Sequence, residues 1–322
     1  MSSASTTVDM GTSVGDVELR NPVMTASGTS GHGAELGAYL ELASLGAVVV
    51  KSVSSTPWEG NPAPRLLPLD GGMLNSVGLQ NRGMREWLDE ELPPLAASGA
   101  RVVASVWGFS ARDYRDAAAL IADARRSGRP GVDRVVAVEA NISCPNVEDR
   151  RRMFAHSSGG VSEAVSAAVE GLDGSLPLWA KLSPNVTDVT EMAGTAQSAG
   201  ASAVTLINTV MGMSIDPATG RHRLGGGGGG LSGPAVHPVA VRAVFECRAA
   251  FPALPIVGVG GVRTGEDAAE LIAAGADAVQ VGTATFADPR APATIVAELA
   301  AWCDKNGVSR IDQLKGRAHD GR

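Results

Sequence analysis

At 322 residues, with 44% hydrophobic and 19% charged positions, the chain can bury a large core, and its length suits two ordinary domains or one α/β barrel. A formal net charge of −7, with Arg150-Arg151-Arg152 as a short basic run, argues against a surface built for nucleic acid or an anionic membrane. Its three cysteines, Cys144, Cys247 and Cys303, lie too far apart for a CxxC pair and are odd in number, which argues against a disulfide framework and for a reducing compartment.

Residues 1–12 are polar, carry no basic-then-apolar signal pattern and read as a flexible tail. No apolar run approaches the roughly 20 residues a membrane-spanning helix needs, so a cytoplasmic protein is expected. Short β-branched runs follow at residues 22–26, 47–53, 101–107, 135–143, 177–182, 203–208, 255–259 and 278–282. Between them lie helix-periodic segments at 33–45, 111–126, 162–170, 187–199, 237–250, 264–274 and 291–304. Several end in a glycine just before a strand, as in Leu45-Gly46-Ala47, Ala199-Gly200-Ala201 and Ala274-Gly275-Ala276, where glycine takes the left-handed, helix-stopping conformation. This alternation implies repeated βα units around a parallel sheet. The expected fold is a single (β/α)8 TIM barrel over residues 13–304, with 305–322 as a C-terminal tail.

The chemistry-bearing residues sit at the ends of many strands, as in a barrel, rather than at the one switch point of a doubly wound sheet. Lys51 closes the second run, and Asn141-Ile142-Ser143-Cys144-Pro145-Asn146 the fourth. Lys181, Asn208-Thr209, Gly260-Gly261 and Gly282-Thr283 close the last four. A thiol between two carboxamides suits a general base beside a polar, uncharged ring. The two glycine loops suit a phosphate, with the helix near Thr264 adding its positive end. Lys51 and Lys181 at buried strand ends imply something electron-rich between them, and a reduced flavin fits. The six glycines 225–230 match a dinucleotide fingerprint only trivially and read as a mobile loop leading into Leu231-Ser232-Gly233-Pro234. Taken singly, each feature has a plainer explanation: a buried cysteine, a structural salt bridge, a tight turn, a solvated charge run. No metal site is expected.

Together these residues resemble the class 1 dihydroorotate dehydrogenases, FMN-containing barrels of pyrimidine biosynthesis, over most of the chain. Asn21-Pro22-Val23-Met24-Thr25-Ala26-Ser27-Gly28 resembles the family's first strand, and Leu74-Asn75-Ser76-Val77-Gly78-Leu79-Gln80-Asn81 its substrate loop. The hexapeptide around Cys144 resembles the segment with its catalytic cysteine, and Lys181-Leu182-Ser183-Pro184-Asn185 the strand bearing its second flavin lysine. The resemblance implies that Cys144 removes the C5 proton of dihydroorotate while a hydride passes from C6 to FMN N5. It implies substrate contacts from Asn75, Gly78, Leu79, Asn141, Asn146, Asn208 and Thr209. It implies cofactor contacts from Ala26, Ser27, Gly28, Lys51, Ser52, Asn75, Asn141, Lys181, Ile207, Gly233, Gly260, Gly261, Gly282 and Thr283. Gln80, Asn208-Thr209 and residues 211–216 look more like the NAD-linked 1B branch than the fumarate-using 1A branch, which implies a homodimer and a partner subunit carrying FAD and a 2Fe-2S cluster. Arg82, His237 and the glycine run depart from the family pattern. Three other readings use the same residues: a dihydropyrimidine dehydrogenase-like FMN subunit acting on uracil or thymine, a non-catalytic FMN-binding barrel, and an aldolase-type barrel with a Schiff-base lysine.

Overall fold

A computed structural model describes residues 8–143 and 154–320 of the chain. The eight apolar runs form parallel strands β1 (Val23–Thr25), β2 (Val48–Val49), β3 (Val102–Val106), β4 (Val135–Asn141), β5 (Leu178–Leu182), β6 (Ala203–Leu206), β7 (Ile256–Val259) and β8 (Ala278–Val281). Most of their residues are fully buried, because helices cover the outside and the other strands fill the inside. β1 pairs with β8, and the order then runs through β7, β6, β5, β4 and β3 to β2. A parallel bridge between Met24 and Ala47 joins β1 to the β2 segment, with Gly46 N–H donating to Val23 O at 2.8 Å. This is the (β/α)8 barrel that the alternation implies.

The barrel interior is layered. Met24, Val49, Val103, Ala137, Trp179, Ala203, Val257 and Ala278, one from each strand, form an apolar cluster. Val14, Val17 and Leu19 of the hairpin Thr12–Val14 and Val17–Leu19 join it and plug the N-terminal end. Nearer the C-terminal ends the buried interior turns polar, with Thr25, Ser105, Glu139, Lys181, Thr205 and Gln280. No break in packing marks the expected boundary at 304: Val308, Ile311 and Leu314 are buried, and Ile311 N–H donates to Asp9 O at 2.9 Å.

Helices Ala111–Arg126 and His237–Ala250 have the expected bounds. Ser110 starts the first through a capping box with Asp113. Residues 33–45 differ, forming two 3-10 turns, Glu35–Ala38 and Leu42–Ser44, on either side of an extended Glu41. Gly37 lowers helix propensity there, and Glu35 bends its carboxylate onto the N–H groups of His32 and Gly33 at 3.1 and 2.8 Å. An unexpected helical stretch runs through Met84–Glu86, Trp87–Glu91 and Leu92–Ala97. Pro93 and Pro94 fall in the first turn of its last segment, where prolines are tolerated.

The glycine run is a correction. Gly228–Ser232 is a strand, at the centre of a four-stranded antiparallel sheet ordered Val210–Met213, Gly228–Ser232, Gly72–Asn75, Leu66–Leu69. Glycine is required at 225, 229 and 230 because neighbouring atoms come too close for any side chain, whereas Gly228 has ordinary room. A Cβ at Gly225 would lie 2.2 Å from Pro62 O, at Gly229 2.4 Å from Asn75 O and at Gly230 2.0 Å from Thr209 Oγ1. Gly230→Ala is therefore expected to cost about 1–3 kcal/mol, read as a lowered thermal midpoint. Gly159→Ala, in helix Ser158–Leu172 with nothing within 4 Å of the new methyl, leaves the midpoint unchanged or raises it.

Candidate active site

The C-terminal strand ends and the four-stranded sheet enclose one cleft. Ala26, Ser27 and Gly28 follow β1, and Lys51 and Ser52 follow β2; all five line it. Asn141 ends β4 and Lys181 lies within β5, while Ile207, Asn208 and Thr209 follow β6. Asn75, Gly78 and Leu79 reach the cleft from the segment at the end of Gly72–Asn75. Gly233, Gly260, Gly261, Gly282 and Thr283 complete it. Every described residue assigned to substrate or cofactor thus lines one space. Cys144, Asn146 and Arg150 to Arg152 lie outside the described residues.

A chain of hydroxyls and amides fixes one side of the cleft. Ser27 Oγ lies 3.0 Å from Ser52 Oγ, which lies 2.9 Å from Ser105 Oγ. Asn141 Nδ2 donates to Ser52 Oγ at 3.2 Å, and Asn208 Nδ2 donates to Asn141 Oδ1 at 3.1 Å. The Tyr114 hydroxyl holds the Asn141 carbonyl from behind at 2.7 Å. Asn75 Nδ2 donates to Gly230 O at 3.2 Å, tying the strand Gly72–Asn75 to the glycine strand. These bonds set which way each carboxamide presents its donor and acceptor ends.

Lys181 has partners inside the protein. Its Nζ donates to Gln280 Oε1 at 3.0 Å and lies 3.6 Å from Glu139 Oε1. Gln280 Nε2 and Thr205 Oγ1 donate to Glu139 Oε2 at 2.7 and 3.0 Å. The electron-rich partner expected for Lys181 is thus supplied in part by Glu139. Sequence reasoning passed over this residue, although a lone glutamate inside the apolar run 135–140 was a signal. It also gave Asn185 no role: its Nδ2 donates to Thr209 O at 3.0 Å and its Oδ1 accepts from Met211 N–H at 2.8 Å, holding the turn after β6.

At the other end, Gly233, Gly260 and Gly261 have φ of 103°, 147° and 70°. A Cβ at Gly260 would strike Ala240 Cβ at 2.6 Å, and one at Gly261 would come within 2.9 Å of Gly233 O. The result is a cradle of bare backbone. His237 Nδ1 braces it, 2.7 Å from Gly260 O. The helix after Thr264 does not serve here. Its first amides are already satisfied, Asp267 N–H by Thr264 Oγ1 at 3.1 Å and Gly265 N–H by Glu298 Oε2 at 2.8 Å. The helical segment that adjoins the cleft instead begins after Gly233, at Pro234–Val236, and continues as His237–Ala250.

The family model for dihydroorotate dehydrogenase matches residues 10–302. The chain belongs to the dihydroorotate dehydrogenase family. It is 43% identical to the catalytic subunit of dihydroorotate dehydrogenase B (NAD(+)) from Geobacter sp. (strain M21), over 96% of this chain and 97% of that one. Similarity to the protein of that name from Alkaliphilus metalliredigens is 42% over 97% and 99%. A putative dihydroorotate dehydrogenase A (fumarate) from Solibacter usitatus is 42% identical over 96% and 98%.

In this family member, burial and then the charge of Lys51 hold the His32 imidazole below its ordinary range. Burial pushes the Cys247 thiol up to about 12 and raises that of Cys303, and neither residue lines the cleft. Among the described residues no helix is long and apolar enough to cross a membrane, and no three His, Cys, Asp or Glu side chains group as a metal site.

Proposed function

We infer that the protein oxidises dihydroorotate to orotate in pyrimidine biosynthesis, with FMN as the cofactor of the cleft. The observation that carries this reading is the convergence of carboxamides, two strand-end lysines and a glycine cradle on one space. The residues fit FMN. Gly233, Gly260 and Gly261 offer backbone where a phosphate needs close approach, and Thr283 Oγ1, bonded to Ser232 Oγ at 2.8 Å, adds a hydroxyl beside it. Ala26, Ser27, Gly28, Ser52, Lys51, Lys181 and Ile207 would flank the ring system, and Gly282 would border the ribityl chain. FMN, when bound, supplies the hydride acceptor and passes the electrons onward.

Asn75, Asn141, Asn146, Asn208 and Thr209 hold the substrate, because carboxamides match the alternating N–H and C=O groups of its ring. Gly78 and Leu79, which line the cleft, border it, and Leu79 adopts φ 65°. Cys144 takes the C5 proton as the base, and the fixed amides keep the reacting carbons in register.

NAD+ is the acceptor, reached through a partner subunit carrying FAD and a 2Fe-2S cluster. The B-type relatives and the 211–216 segment support this, and the chain lacks the cysteine set a cluster needs. Homodimer formation and a cytoplasmic location belong to the same reading and rest on the resemblance.

Anaerobic mixing of the FMN-loaded protein with dihydroorotate is expected to bleach the flavin band, whereas uracil and thymine leave it unchanged. Fumarate and NAD+ are then added separately. Colour returning with fumarate and the isolated chain would assign the 1A acceptor instead. A band that dihydroorotate leaves untouched would overturn the reading.

A further inference from the structure

We propose that Glu139 is a positioning residue that tempers the charge of Lys181 beside the cofactor ring and so sets how strongly the protein favours the reduced flavin. This rests on the FMN reading above. Glu139 is 0% exposed and its charged partner Lys181 is 6% exposed, yet Lys181 lines the cleft. The pair therefore spans the boundary between the polar layer of the barrel and the site.

A plain structural role explains little of this arrangement. A barrel interior is ordinarily filled by branched apolar side chains, and a buried ion pair adds little stability over such packing. Here four strands contribute to one network: Glu139 from β4, Lys181 from β5, Thr205 from β6 and Gln280 from β8. Gln280 is bonded to both charged groups, accepting from Lys181 and donating to Glu139, so it keeps them in a fixed relation. Glu139 Oε2 is held by two donors, while Oε1 accepts no hydrogen bond among the described residues and faces the ammonium at 3.6 Å. The carboxylate is aimed at the lysine. A cation next to a flavin favours the electron-rich reduced form, and an anion fixed behind that cation offsets the effect. The offset keeps the reduced flavin able to pass its electrons on.

The test is the midpoint potential of the FMN-loaded, full-length protein, measured anaerobically against redox dyes, with the dissociation constant of oxidised FMN measured alongside. Glu139→Gln keeps the shape and removes the charge. It is expected to raise the preference for reduced over oxidised FMN at least tenfold, about 30 mV for a two-electron couple. Glu139→Asp keeps the charge but withdraws it, and shifts the potential the same way by less. In a Lys181→Met background the Glu139→Gln change shifts the potential by less, since no ammonium is left for the anion to position and temper. A Glu139→Gln potential equal to or below that of the unaltered protein overturns the inference, as does an equal shift in the Lys181→Met background. If Glu139→Gln does not fold, Glu139→Asp decides the matter by the same criterion. Failure of the unaltered protein to take up FMN overturns the functional reading and this inference with it. Uptake with unshifted potentials overturns the inference alone.

Discussion

Cys144→Ser is expected to slow reduction of the bound flavin by dihydroorotate about 100- to 10,000-fold near neutral pH, the range that loss of a general base ordinarily costs. A thiol titrates near ~8.5 and a serine hydroxyl far higher, so at neutral pH the variant has almost no ionised oxygen to accept the C5 proton. The sign of the pH dependence follows. With the cysteine present the rate climbs with pH and levels off above the thiol's titration, whereas with serine it is still climbing there. FMN binding is expected to stay intact, because the glycine cradle and the lysines belong to other segments of the chain. Stopped-flow mixing at several pH values checks both, and an unchanged rate at neutral pH removes the cysteine from the mechanism.

Lys181→Ala is expected to act on two levels. Removing one member of a buried ion pair leaves the other charge uncompensated, and Glu139 is fully buried with Lys181 as its charged partner. The cost is about 3–5 kcal/mol, seen as a lower denaturation midpoint of the apoprotein. The same change takes a cation from the cleft, so FMN affinity and flavin reduction by dihydroorotate also fall. The double variant Lys181→Met with Glu139→Gln removes both charges and is expected to recover stability without recovering the reduction rate. That outcome separates what the lysine does for the fold from what it does for the cofactor. Full retention of colour and rate in Lys181→Ala would leave the residue a structural role only.

The barrel was legible because its strands are short apolar runs buried on both faces, set between helices with glycine stops such as Gly200 and Gly275; Gly46 follows no α-helix and has no positive φ, but lets Asn21 O approach where a Cβ would lie 2.3 Å away. The cleft-lining positions were legible because such barrels place chemistry at strand ends. Lys51, Asn208-Thr209 and Gly260-Gly261 lie just beyond the β-branched runs that precede them. The four-stranded sheet was not legible. Its strands Leu66–Leu69 and Val210–Met213 are half exposed, and Gly228–Ser232 has almost no side chains to give a period. Backbone contact selects those residues, and no hydrophobicity pattern records it. Glu139 was missed for a related reason. Its meaning lies in Gln280 and Thr205, brought beside it only when the barrel closes. The same holds for the Thr264 helix, whose amides are claimed by Asp267, Thr264 and Glu298 in ways that spacing alone does not show.

Gly229 and Gly230 constrain how this protein can change. Their neighbours fill the volume that any larger residue would take, so drift in substrate preference cannot proceed through 229 or 230 without dislodging Asn75 or Thr209. Adaptation is channelled to the outer strands instead, where exposed Leu66, Met211 and Met213 can be exchanged at little cost. Selection for a new ring substituent should therefore accumulate replacements along the rim, with Gly229 and Gly230 left unchanged.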